Sequence, residues 1–143
     1  MTTAIINTDM NIGPFKIPGN GQNMILNNYA ERNKIIVEEI IPEPFMSNAL
    51  ATTQWVHKKK KLKKVILCSI HQLPQKQKRI EDLINTMDDV EFHFALESIS
   101  GKGSKFLLDC IKEAKMFMNA KTIDSTKTTW LELYKLKQEK GTR

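Results

Sequence analysis

Residues able to do acid–base chemistry stand where apolar runs stop. The stretch VILCSIHQLPQKQKR, residues 65–79, is apolar through Ile70 and then breaks into His71, Gln72, Leu73 and Pro74. A second run, VEFHFALES, ends at Glu97 and Ser98. If both runs are parallel strands, their carboxyl ends share one rim, where open α/β proteins keep their ligands. His71 and Glu97 would then form an imidazole–carboxylate pair, the ring moving a proton near neutral pH and the carboxylate orienting it. They are the candidate catalytic residues. The alternative is that His71 caps a turn and Glu97 pairs with a surface lysine. The same rim would receive Asn7, Thr8 and Asp9 from a first strand, Glu43 from a second, and Ser69 and Gln72 beside His71.

Other chemistries find little support. His57, His71 and His93 lie in different segments without metal-ligand spacing, so no metal site is expected. His93 alternates with Phe92 and Phe94 and reads as a packing histidine on the opposite sheet face. No GxGxxG, GxxxxGK[ST] or GxSxG motif occurs, and no cofactor is expected. GNGQN at 19–23 and SGKGS at 100–104 could offer backbone N–H groups to an anion, or serve as tight turns before helices. Cys68 and Cys110 are unpaired by spacing and read as buried thiols of a reducing compartment, hence a cytoplasmic protein. The first residues, MTTAIINTDMN, have no basic leader with a long apolar stretch, and no run reaches the roughly 18–20 apolar residues of a membrane span.

The net charge of +6 equals the charge of six lysines, Lys58, Lys59, Lys60, Lys61, Lys63 and Lys64, so the rest of the chain is balanced. These lysines close a predicted helix and open a predicted strand, where they oppose the negative end of the helix dipole. They also form a candidate anion patch for nucleic acid, phosphate, lipid headgroups or an acidic partner. Lysine in place of arginine, and no interleaved aromatics, disfavour specific nucleic-acid readout.

The elements that must position these residues alternate along the 143 residues. Strands are expected at 4–6, 34–41, 65–70 and 90–96. The prolines at 42 and 44 are expected to end the second strand. Helices are expected at 22–32, from Ser47 or Asn48 through the lysines, from Pro74 to about 87, and at 104–119. Met24 follows the helical spacing of the first helix, Trp55 joins Leu50 and Val56 on a modest apolar face of the second, and Phe117 is assigned to the inward face of the fourth. This order predicts a single three-layer α/β domain over 1–120, with a mainly parallel four-stranded sheet flanked by helices. A further helix with Trp130, Leu133, Tyr134 and Leu136 is expected within a C-terminal extension, 121–143.

The stretch from VILCSIHQLP through RIEDLINTM, VEFHFALESIS and GKGSKFLLDCIKEAKMF resembles the catalytic domain of resolvase–invertase serine recombinases. In that family the strand ends in Leu-Asp-Arg-Leu-Gly-Arg-Ser and the first strand in Arg-Val-Ser. Here His71 stands at the aspartate position and Gln72 and Gln75 at the arginine positions. Ile5-Ile6-Asn7 stands at the nucleophile motif. A recombinase needs a serine oxygen to attack the phosphodiester and guanidinium groups to steady the charge, so strand cleavage is not expected.

The chain also resembles a small resolvase-like group called sporadic carbohydrate cluster proteins, over roughly residues 4–117. The shared features are Pro18-Gly19-Asn20-Gly21-Gln22-Asn23 before a helix with Tyr29, then Glu43-Pro44-Phe45-Met46. Leu73-Pro74 with following basic residues and Ala95-Leu96-Glu97 complete the set. Asn27 stands where that group has an arginine. The resemblance implies company with bacterial surface-polysaccharide or sugar-nucleotide biosynthesis, as accessory protein or enzyme. A sugar nucleotide or phosphosugar would bind through Asn7, Gln22, Asn23, Glu43, Gln72 and Arg79, amides serving hydroxyls and the guanidinium a phosphate. The alternatives are a non-catalytic interaction module, homo-oligomeric through the 104–119 helix, and a residual nucleic-acid binder through the lysine run.

Overall fold

A computed structural model describes residues 2–9, 12, 16–44 and 49–124, the last seven by backbone alone. Five strands form one sheet: β1 (Thr2–Thr8), β2 (Glu39–Glu43), β3 (Leu62–Leu67), β4 (Glu91–Phe94) and β5 (Ile99–Lys102). Among the described residues four α-helices accompany them: α1 (Gly19–Arg32), α2 (Ala51–Lys59), α3 (Gln77–Met87) and α4 (Ser104–Asp124). The strand order is β2-β1-β3-β4-β5, parallel except for the antiparallel β4–β5 hairpin.

Burial on both faces explains the apolar run that opens at Val65 in the second half of β3. Val65 and Leu67 join the larger core under α2, α3 and α4, with Ile6, Phe92, Phe94, Leu83 and Leu107. Ile66 points the other way, into a smaller core under α1 with Ile5, Leu26, Tyr29 and Ala30. One helix therefore covers one face and three cover the other.

Four expectations need correction. The second strand lies at Glu39–Glu43 and includes Pro42, which pairs with Asn7. β2 is an edge strand, so a residue lacking an N–H is tolerated with its nitrogen turned outward. The apolar residues Ile35 and Val37 instead pack against the α1 core. The stretch read as a loop after the fourth strand contains β5, too short and glycine-bearing to show period-two patterning. Gly101 in it lies under the Phe106 ring, where a Cβ would stand 2.4 Å from a ring carbon. The third helix starts at Gln77, because a 3₁₀ turn, Ile70–Gln72, comes first and buries Leu73. Finally, Trp55 and Phe117 are exposed, at 60% and 48%.

α4 runs without interruption past residue 120 to Asp124. The expected helix from about 128 and the capping roles of Ser47 and Asn48 lie outside the described residues. Among the described residues, no helix is long and apolar enough to cross a membrane.

Candidate functional site

In this strand order the chain leaves β1 towards one side and β3 towards the other. The crevice at their carboxyl ends is the topological switch point, where doubly wound sheets hold ligands. Asn7 in β1 and the segment Cys68 to Gln72 after β3 line it, and the first turns of α1 close it from one face.

A continuous polar network builds this crevice. The Gln22 side chain accepts from Thr8 N at 2.9 Å and donates to Thr8 O and Ile17 O, each at 2.8 Å. Being 1% exposed, it fastens α1 and its leading loop to the end of β1. Next to it, Asn7 Nδ2 donates to Asn23 Oδ1 at 2.8 Å. The Cys68 thiol, directed at Gln22 O at 3.9 Å, ties β3 to the same helix. Burial pushes that thiol up to about 11, with the Glu97 charge adding to the shift, so it stays protonated at neutral pH.

Ser69 and Gln72 form a reciprocal cap on the 3₁₀ turn. Gln72 Oε1 accepts from Cys68 N at 2.7 Å and Ser69 N at 3.2 Å, while Ser69 Oγ accepts from His71 N at 3.2 Å. Glu97 adds a second clamp: its oxygens accept from Ser69 Oγ at 2.7 Å and Ile70 N at 3.0 Å. The Ser69–Glu97 contact has the look of a catalytic dyad. Ser69 is fully buried, however, and its hydroxyl is held between Glu97 and the His71 amide. Its role is to cap.

His71 lies at the mouth of this turn, its ring edge-on to Phe117 with centroids 5.2 Å apart. Burial lowers its pKa below the usual histidine value, and the Glu97 charge opposes that shift. The imidazole is therefore held towards its neutral, base-competent form.

Two polar atoms of the network have no hydrogen-bond partner among the described residues: the acceptor Asn7 Oδ1 and the donor Gln72 Nε2. Both are buried, and Gln72 as a whole is 8% exposed. Asn7 lies on β1, and Gln72 on the 3₁₀ turn that follows β3. A buried amide atom left unpaired costs about 1–3 kcal/mol, which a ligand or an ordered water can recover.

The structure brings Asn7, Gln22, Asn23 and Gln72 together, with His71 on the 3₁₀ turn and Glu97, from the turn between β4 and β5, bonded to Ser69 and Ile70. Glu43 is turned away to the start of α2, where Oε1 accepts from Thr53 N and Thr53 Oγ1, each at 2.6 Å, and Oε2 from Thr52 N at 3.4 Å. Arg79 sits half-buried on α3. The six lysines lie at the amino end of β3, the edge opposite the crevice.

A relay below the α1 face, buried at Tyr29 and His93 and part-exposed at Glu91, escaped the sequence reading. Tyr29 Oη meets His93 Nδ1 at 2.8 Å, and His93 Nε2 meets Glu91 Oε2 at 2.8 Å. The His93 hydrogen bond holds Glu91 below the ordinary carboxylate value, and burial raises the Tyr29 phenol. His93 does face away from Phe92 and Phe94, but as a bonded link between α1 and β4.

No family model and no curated protein sequence matches the chain. Among solved structures it is similar to the N-terminal catalytic domain of TP901-1 integrase, at 16% identity and a TM-score of 0.57, over 85% of this chain and 99% of that one. The likeness is one of fold: the chain has the resolvase-like α/β architecture.

Proposed function

We propose that this protein is an accessory component of bacterial surface-polysaccharide or sugar-nucleotide biosynthesis, binding a sugar nucleotide or phosphosugar in the β1/β3 crevice of a resolvase-like fold. The observation that carries the reading is the pair of buried amide atoms, Asn7 Oδ1 near the end of β1 and Gln72 Nε2 after β3, that have no partner among the described residues. One accepts and the other donates, both are uncharged, and together they suit a sugar hydroxyl. The N-terminal turn of α1 opens beside Asn23 without a side-chain cap, and the space around Gly19 is clear, so its amides can take a phosphate. The biosynthetic setting rests on the sequence resemblance through Gln22, Asn23, Glu43 and Glu97.

Strand cleavage has no place in this reading. Asn7 stands at the position of the recombinase serine in β1 and Gln72 at the first arginine position, and a carboxamide neither attacks a phosphodiester nor supplies fixed positive charge. His71 is the group available for proton transfer at the mouth, with Glu97 as its positioning residue through the turn.

A thermal-shift screen of nucleoside-diphosphate sugars and sugar phosphates tests the proposal. At least one ligand raises the melting temperature of the wild type; a flat response across the panel defeats the reading. A second reading, an interaction module, draws on Leu108 and Met116, exposed at 47% and 63% on the outer side of α4. Light scattering separates the two, since a strict monomer removes the self-association form of this reading.

A further inference from the structure

The outer face of α2 and the segment after it take no part in the crevice. Residues 51–64 hold six lysines and no acidic residue. Lys60 pairs with Glu39 at 2.7 Å and Lys64 with Glu91 at 3.6 Å, so those two charges are balanced locally. Lys58, Lys61 and Lys63 are exposed and form no ion pair among the described residues. Lys59 holds its ammonium 5.5 Å above the Trp55 ring, which is itself 60% exposed. The Lys60–Glu39 pair joins this helix end to edge strand β2, where Ile40 is 55% exposed and Ile36, just before it, 81% exposed. Asp88 and Asp89 stand on the α3 side of a 420 Å³ cleft shared with Lys58 and Lys61, and Asp89 is engaged by His57 at 3.1 Å.

We infer that this corner docks the protein on a negatively charged lipid bilayer, with Trp55 seated at headgroup level among the lysines. An indole ring has an apolar body and a polar edge, the combination that settles at a membrane–water interface. Exposed lysines beside exposed apolar side chains complete an interfacial surface, and each lysine held near an anionic leaflet strengthens attachment about five-fold. Nucleic acid fits this corner less well. Residues 51–64 contain no arginine to fork a base or phosphate and no second aromatic to extend a stacking platform. The corner lies at the amino end of β3, so docking leaves the crevice at its carboxyl end facing away from the lipid.

Cosedimentation with vesicles tests the inference. The protein pellets with phosphatidylcholine vesicles carrying about 30% phosphatidylglycerol and stays in solution with phosphatidylcholine alone. The triple variant K58Q/K61Q/K63Q binds roughly 100-fold more weakly, and Trp55→Ala weakens vesicle binding further. Indole emission shifts to the blue on vesicle binding, and Trp55→Phe removes that shift, which assigns it to Trp55 rather than Trp130. Unchanged melting temperatures of these surface variants confirm that they fold. Equal binding to both vesicles, binding to neither, or a triple variant that binds like wild type overturns the inference. Duplex DNA binding that survives Trp55→Ala and is not displaced by anionic vesicles overturns it in favour of nucleic acid.

Discussion

Single side chains at the crevice do several jobs at once, and substitutions can separate them. Gln22→Ala leaves Thr8 N, Thr8 O and Ile17 O without their buried partner, an expected loss of about 2–4 kcal/mol measurable by urea unfolding. Gln22→Glu is expected to be no better, because it keeps the acceptor for Thr8 N but sets a carboxylate against two carbonyls. His71 gives a pH signature. Its folded pKa lies below the ordinary 6.5, so its contribution to stability is complete above that value and is lost as pH falls through the folded pKa. Unfolding curves between pH 7.5 and about pH 5 should therefore show a larger loss for wild type than for His71→Gln. Cys68 and Cys110, 0% and 3% exposed with thiols pushed up to about 11, should resist alkylation until the protein unfolds. At this scale the sequence was informative about place. His71, Gln72 and Glu97 were legible as strand-end residues, whereas the 3₁₀ turn was not read, although Ser69-x-x-Gln72 has a capping-box spacing. Their hydrogen-bond partners were not legible, because a side chain's choice between ligand and nearby backbone depends on how closely the rim closes.

Elements show the same division between pattern and context. β1, β3 and β4 have apolar runs dictated by burial, and these were readable. β2 was displaced by several residues because Ile35 and Val37 are apolar for the sake of α1, and only the edge position makes Pro42 acceptable. α2 begins awkwardly: Leu50 sits at φ 53° in the left-handed region and supplies no side-chain cap. Glu43, at the end of β2, serves its first turn from a distance through Thr52 and Thr53. Glu43→Ala should consequently destabilise the protein by about 2–3 kcal/mol, lowering its thermal midpoint, although Glu43 looks from the sequence like a rim ligand. Gly101→Ala should cost about 1–3 kcal/mol, since its Cβ would enter the Phe106 ring on the β5–α4 contact.

At the scale of the whole molecule, the sheet separates two surfaces. The carboxyl ends of β1 and β3 carry neutral amides, buried hydroxyl and carboxylate clamps, and a histidine held towards neutrality. The amino end carries the lysines and Trp55. In the proposed reading, the resolvase-like frame holds a ligand at the carboxyl ends of β1 and β3 and carries out no strand transfer. What the sequence could not convey was that several rim residues bond one another, leaving Asn7 Oδ1 and Gln72 Nε2 without a partner among the described residues. Gln72→Glu isolates one of them, because a carboxylate still accepts the Cys68 and Ser69 amides but cannot donate as Nε2 does. The decisive measurement is isothermal titration of wild type and Gln72→Glu with the nucleoside-diphosphate sugar that gives the largest thermal shift. Wild-type binding weakened by about ten-fold or more in a variant that melts normally is the expected result. Equal affinity in the two proteins would contradict a ligand seated between β1 and β3.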